Sequence, residues 1–143
     1  MLGHLGLNVP DLATAKPYYD RLMPTLDYEP YLSGIDQFAY RPARGRPGTY
    51  LFFYAARDAG AYSREATGLQ HLAFRVRTRS EVRAAHRLAV DLGAEVLHPP
   101  QPFPDYPPPY YATFWLDPHG FVFEAVCHAD RDEPSTTSGR WSG

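Results

Sequence analysis

The sequence predicts an α+β fold made of two copies of one β-α-β-β-β unit. Three observations carry that expectation. Gly3-His4-Leu5-Gly6-Leu7-Asn8-Val9 and Gln70-His71-Leu72-Ala73-Phe74-Arg75-Val76 share the pattern His-Leu-small-apolar-polar-Val. Each run alternates apolar and polar residues with a period of two, the signature of a half-buried strand. Each is followed by a helical segment and then by three short strand-like runs. Two copies at this spacing make an internal duplication, because a solenoid needs more repeats than two to bury a continuous core.

The elements follow in order. After the first strand, Asp11 or Thr14 can cap a helix running to about Leu22. Pro17 is awkward for a start at Asp11 and tolerable for a start at Thr14, where it would fall in the first turn. Strands are expected near Tyr28–Leu32, Asp36–Arg41 and Thr49–Ala55. Arg57–Gly68 links the halves. After the strand that opens with His71, Thr78-Arg79-Ser80-Glu81 is a capping box. Val82, Ala85, Ala89 and Leu92 fall on one helical stripe, and Gly93 is the expected C-terminal cap. Three more strands are expected near Glu95–His98, Tyr110–Leu116 and Phe121–Cys127. The tail 129–143 is polar and aperiodic, with Pro134 and Gly139, and is expected to be loosely ordered.

Composition bounds the function. A chain of 143 residues with 44% hydrophobic and 21% charged residues is long enough for one domain with its own core. A net charge of −2 disfavours nucleic-acid binding, which needs a basic surface. The lone Cys127 suits a reducing compartment. No apolar run is long enough for a membrane helix, and Met1-Leu2-Gly3-His4 lacks the features of a signal peptide, so a cytoplasmic protein is expected. Aromatic residues reach 15%, which fits a β-rich core or a cavity lined by rings.

The alternation places the chemistry. If Leu5, Leu7 and Val9, Leu72, Phe74 and Val76, and Phe121, Phe123 and Ala125 pack on the helices, then His4, His71 and Glu124 point to the other face. Two imidazoles and a carboxylate on one face make a candidate divalent-metal site with open positions. Arg75 shares the face of His71 and could meet an anionic substrate. Pro99–Tyr111, crowded with prolines and aromatics, reads as a stiff extended loop or as a rim that limits substrate size.

The paired openings His4-Leu5-Gly6-Leu7 and His71-Leu72-Ala73-Phe74 resemble the vicinal oxygen chelate superfamily. So do Asn8-Val9-Pro10-Asp11-Leu12 with Tyr18-Tyr19, and Leu116-Asp117-Pro118-His119-Gly120-Phe121-Val122-Phe123-Glu124. That superfamily includes glyoxalase I, type I extradiol dioxygenases, fosfomycin-modifying transferases, methylmalonyl-CoA epimerase and bleomycin-resistance proteins. The resemblance covers residues 1–128, with modules over about 1–56 and 69–128. It implies paired βαβββ modules forming a half-barrel around a central cavity that holds one divalent metal ion (Fe, Mn, Ni or Zn). It also implies His4, His71 and Glu124 as ligands, and association into a homodimer.

The sequence departs from part of the pattern. Glyoxalase I and the epimerase place a fourth ligand, Glu or Gln, on the last strand of the first module. Aligning Thr49–Ala55 with Phe121–Cys127 puts Phe52 or Phe53 there, and neither can coordinate a metal. Glyoxalase I and epimerase activities are therefore disfavoured. Phe52, Phe53, Arg75, Tyr110 and Tyr111 are the candidate substrate contacts. His98, His119, Tyr110 and Tyr111 are available as acid–base groups, with none singled out by spacing. Two function classes follow. One is a metal-dependent, dioxygenase-like or lyase-like enzyme whose small-molecule substrate chelates through vicinal oxygens. The other is a bleomycin-resistance-type protein that sequesters an aromatic compound.

Overall fold

The two repeats fold as two four-stranded mixed sheets with one helix each. In the computed structural model, residues 1–58, 60–129 and 132 are described. Apart from Ala129 and Asp132, the expected tail lies outside the described residues.

The first sheet has the order β1-β4-β3-β2, from β1 (His4–Val9), β2 (Tyr28–Ser33), β3 (Gln37–Pro42) and β4 (Tyr50–Ala55). The second repeats it as β5-β8-β7-β6, from β5 (Leu72–Val76), β6 (Glu95–Pro102), β7 (Tyr111–Leu116) and β8 (Val122–Cys127). In both, the first and last strands of the module pair in parallel and the remaining pairs are antiparallel. The helix α1 (Leu12–Leu22) supplies the crossover in the first module and α2 (Arg79–Asp91) in the second.

Of the two caps open for α1, the structure selects Asp11. Its backbone is extended and its carboxylate accepts from Ala13 N–H at 3.3 Å. Pro17 therefore sits inside the helix, where its ring removes one hydrogen bond. The buried stripe Ala15, Tyr19 and Leu22 survives this, because tertiary packing holds a short helix more than its internal ladder does. At α2 the expected capping box forms in full. Thr78 Oγ1 accepts from Glu81 N–H at 3.1 Å, and the Glu81 carboxylate accepts from Thr78 N–H at 3.3 Å. Gly93 follows with φ 83°, the left-handed conformation that ends a helix.

The strand expected at Glu95–His98 runs on to Pro102. β6 is the outer edge of its sheet, and its register slips at Val96/His98 and again at His98/Gln101. An edge strand tolerates prolines because the missing N–H would have faced solvent. Two short 3₁₀ turns, Met23–Leu26 and Ala43–Gly45, were not signalled by periodicity. They meet at Asp27, whose carboxylate pairs with Arg44 and Arg46, each at 2.6 Å.

Both modules share one core. Leu7, Val9, Leu51 and Phe53 from the first sheet join Phe74, Phe123 and Ala125 from the second, with Tyr19, Ala85 and Ala89 of the helices between. Tyr19 stacks on Phe53 (4.2 Å between centroids) and donates its hydroxyl to Asp117 of the other module. Asp117 also accepts from the backbone N–H groups of His119 (2.9 Å) and Phe121 (2.8 Å). This buried carboxylate shapes the Asp-Pro-His-Gly turn and ties the modules together. The helix-bearing faces of both sheets are consumed by the core. The opposite, outer faces look away from it. β1 and β5 each end a sheet, and among the described residues neither pairs beyond its module.

Candidate functional site

Chemistry concentrates on the outer face of the second sheet. Cα register aligns Ala73 of β5, Glu124 of β8 and Phe114 of β7 in one row. The residue before β5, His71, keeps the same alternation and turns its ring toward Glu124. Its Nε2 lies 3.3 Å from Glu124 Oε2. Gln70 Oε1 accepts from His71 Nδ1–H on the far side of the ring. Tyr110, at the end of the proline-rich loop, donates its hydroxyl to Glu124 Oε1. Partial burial and the carboxylate beside it push the Tyr110 phenol well above its ordinary value.

Glu124 is 1% exposed. A buried carboxylate is costly unless it is paired or ligates a cation. Its recorded partners among the described residues are His71 and Tyr110. Rings wall this spot. Phe114 contacts His71 at 6.1 Å, His98 at 5.5 Å and Phe103 at 5.4 Å. Phe103, Tyr106 and Tyr110 pack together within the loop, and Phe103 N–H bonds to Tyr110 C=O at 2.9 Å. The proline-rich segment thus stands as a rim beside Glu124.

The outer face of the first sheet is different. Here the row is Gly6, Phe52 and Ala39. His4 meets Phe52 edge-on at 5.4 Å, and Tyr31 meets Tyr50 at 4.9 Å and Phe52 at 6.3 Å. Tyr54 lies nearly parallel to Phe52 and leans over Gly6. A Cβ at Gly6 would stand 3.2 Å from the Tyr54 ring. The result is an aromatic floor with one imidazole and no carboxylate in the row.

The structure sorts the residues expected from the sequence. It brings His71, Glu124 and Tyr110 together. His4 and Phe52 stand on the other sheet's outer face, because two separate sheets form where the sequence reading treated one face. Among the described residues, no group of three His, Cys, Asp or Glu side chains within the chain could hold a metal. Phe53 is fully buried in the core, so Phe52 is the ring in register with the Glu124 position. Tyr111 turns to the helix side, where Arg79 lies over its ring at 4.9 Å. Arg75 lines a groove of about 610 Å³ between β5 and first-module residues such as Leu5 and Tyr28, beside Arg46 and Arg77. Of the acid–base candidates, His98 and Tyr110 are on the outer face. His119 packs against Tyr19 instead. Gln70 and Phe114 were missed. Adjacency to His71 hinted at Gln70, whereas Phe114 emerges only from strand register.

The donor set fits a divalent ion in part. Two donors each about 2.1 Å from one ion, at angles between square and tetrahedral, lie roughly 3.0–3.4 Å apart. The 3.3 Å between His71 Nε2 and Glu124 Oε2 falls in that range. The Gln70 contact puts a proton on Nδ1 and turns Nε2 toward Oε2.

Comparison with known proteins agrees with this architecture. Solved structures of similar fold include a glyoxalase-family protein from Bacillus halodurans (30% identity, TM-score 0.72, 89% of this chain and 95% of that one). A glyoxalase/bleomycin resistance protein from Albidiferax ferrireducens matches at 22% identity and TM-score 0.71, over 90% of this chain and 99% of that one. The fosfomycin resistance protein FosX of Listeria monocytogenes matches at 18% and 0.64, over 90% and 93%. No curated protein matches. The family model of the Glyoxalase/Bleomycin resistance protein/Dioxygenase superfamily matches residues 1–125. With duplicated βαβββ modules and this match over most of its length, the chain belongs to that superfamily.

Proposed function

We propose that the protein is a metal-dependent enzyme, dioxygenase-like or lyase-like, acting in the cytoplasm on a small molecule that presents two vicinal oxygens. The observation that carries this reading is the His71–Glu124 pair, a buried carboxylate facing an imidazole nitrogen at ligand spacing. The third ligand is His4 of the partner subunit in a homodimer. Its support is topological: among the described residues β1 and β5 pair with no strand outside their own module, and His4, on the other sheet, forms no three-donor group with the pair. Exposed edges invite pairing.

A divalent ion (Fe, Mn, Ni or Zn) bound there supplies Lewis acidity toward the two substrate oxygens. The protein does the rest. Glu124 contributes one negative charge against the ion's two, so the site retains a positive charge that attracts an anionic substrate. Phe114 and the Phe103–Tyr110 rim exclude water on one side, and Phe52 of the partner subunit offers a ring face to a planar substrate. His98, whose ring packs on Phe114, and Tyr110 are the acid–base candidates on this face. With Phe52 where a fourth ligand would stand, glyoxalase and epimerase chemistry are disfavoured.

The aromatic floor of Tyr31, Tyr50, Phe52 and Tyr54 supports a second reading: a sequestering protein that binds a planar aromatic compound without turning it over. Metal analysis of chelator-free protein separates the two. The enzyme reading expects stoichiometric metal, lost when both histidines become alanine, and no isomerisation of glutathione hemithioacetals. Stoichiometric metal surviving in that double variant would overturn it. A single 16 kDa species in sedimentation at micromolar concentration would overturn the dimer.

A further inference from the structure

From the geometry we infer that Gln70 and Tyr110 are positioning residues, which preset His71 and Glu124 as a donor pair before any ion arrives. The inference rests on the metal reading and goes beyond the ligands themselves. Neither ligand is free to turn. The His71 imidazole is pinned at Nδ1 by the Gln70 side-chain carbonyl. An amide oxygen only accepts, so Nδ1 carries a proton and the ring is held with Nε2 on the side of Glu124. The Glu124 carboxylate is pinned at Oε1 by the Tyr110 hydroxyl. A phenol that donates there engages one oxygen and leaves Oε2 facing the imidazole. The two contacts act from opposite ends of the pair, and the result is the 3.3 Å spacing between Nε2 and Oε2.

The two clamps have different origins in the fold. Gln70 precedes β5 and is exposed, with no part in the core. Tyr110 closes the loop after β6, where Phe103, Tyr106 and His128 hold its ring. The loop therefore sets the carboxylate, and the approach to β5 sets the imidazole. Without them the buried carboxylate and the ring would have to be ordered by the ion, at the expense of affinity.

The test is Co(II) titration of the full-length apo-protein against a chromophoric chelator, with the visible spectrum of the bound Co(II) recorded alongside. Gln70→Leu and Tyr110→Phe should each weaken Co(II) binding roughly ten- to hundredfold. Gln70→Glu keeps an acceptor opposite Nδ1 and should restore wild-type affinity and spectrum. Because Gln70 is exposed, its two variants keep the test open even if Tyr110→Phe folds poorly. Wild-type affinity in Gln70→Leu, or equal loss in Gln70→Leu and Gln70→Glu, overturns the positioning role while leaving the metal reading intact. A wild-type protein that binds no Co(II) overturns the metal reading, and the positioning role with it.

Discussion

The two modules share a frame and differ in what they place on it. Leu51 and Phe53 of β4 occupy the same core positions as Phe123 and Ala125 of β8, two residues apart and facing the helices. Between them, at the same register, the first module presents Phe52 and the second Glu124. On the parallel neighbour of each, a histidine stands two residues before the aligned position: His4 before Gly6 in β1, and His71, just ahead of β5, before Ala73. Burial on one face fixes register, since a slip of one residue would turn every core side chain outward. The outer face is released from that constraint. There the copies diverged into a donor pair and an aromatic floor.

The comparison can be broken most sharply at the row itself. Glu124→Ala should abolish metal binding, whereas Phe52→Ala should leave metal content unchanged; elemental analysis of both variants decides it. If the site is shared between subunits, mixing His4→Ala with Glu124→Ala protein after subunit exchange should recover metal. With random pairing, half the dimers are mixed and each has one intact site, so about one quarter of sites return. Recovery of none would place all three ligands on one chain.

On stability the ranking reverses. Phe53→Ala removes a fully buried ring stacked on Tyr19 and Phe38 and should cost about 3–5 kcal/mol. Phe52→Ala, on the outer face, should cost no more than about 1 kcal/mol. Urea denaturation of the pair tests the assignment, and equal losses would contradict the facing described for β4.

Phe52→Glu sharpens the same contrast. It installs a carboxylate at the register of Glu124 and should tighten Co(II) binding when His4 is present, with no gain in a His4→Ala background. The smallest effects lie in the helices. Thr78→Ala breaks a reciprocal cap and should cost about 1–2 kcal/mol, read from thermal melts. Asp11→Ala, at an exposed cap, should cost less.

Much of this was legible residue by residue. The repeated His-Leu-small-apolar-polar-Val run, the capping box at Thr78 and the alternation in β8 are local signals, and each formed as read. Pro17 misled toward Thr14 as a cap because the weight of Tyr19 in the core outstrips one missing helix bond. β6 overran its expected end because an edge strand accepts Pro99, Pro100 and Pro102. The choice between Phe52 and Phe53 stayed open in the sequence because a one-residue ambiguity in alignment exchanges the two faces of a strand.

By itself, the sequence determined the duplication, the module order and which side of each strand is apolar. These rest on period and on nearest neighbours along the chain, and they need no knowledge of distant contacts. Only the tertiary structure decided how the two sheets sit. The helix-bearing faces of both modules bury their apolar side chains in one shared core. That arrangement leaves His4 on one sheet and Glu124, with His71 beside it, on the other. It also brings Tyr110 from a loop onto a carboxylate fourteen residues further along the chain. Contacts of that kind depend on how sheets and loops close around a shared core, which no local pattern encodes.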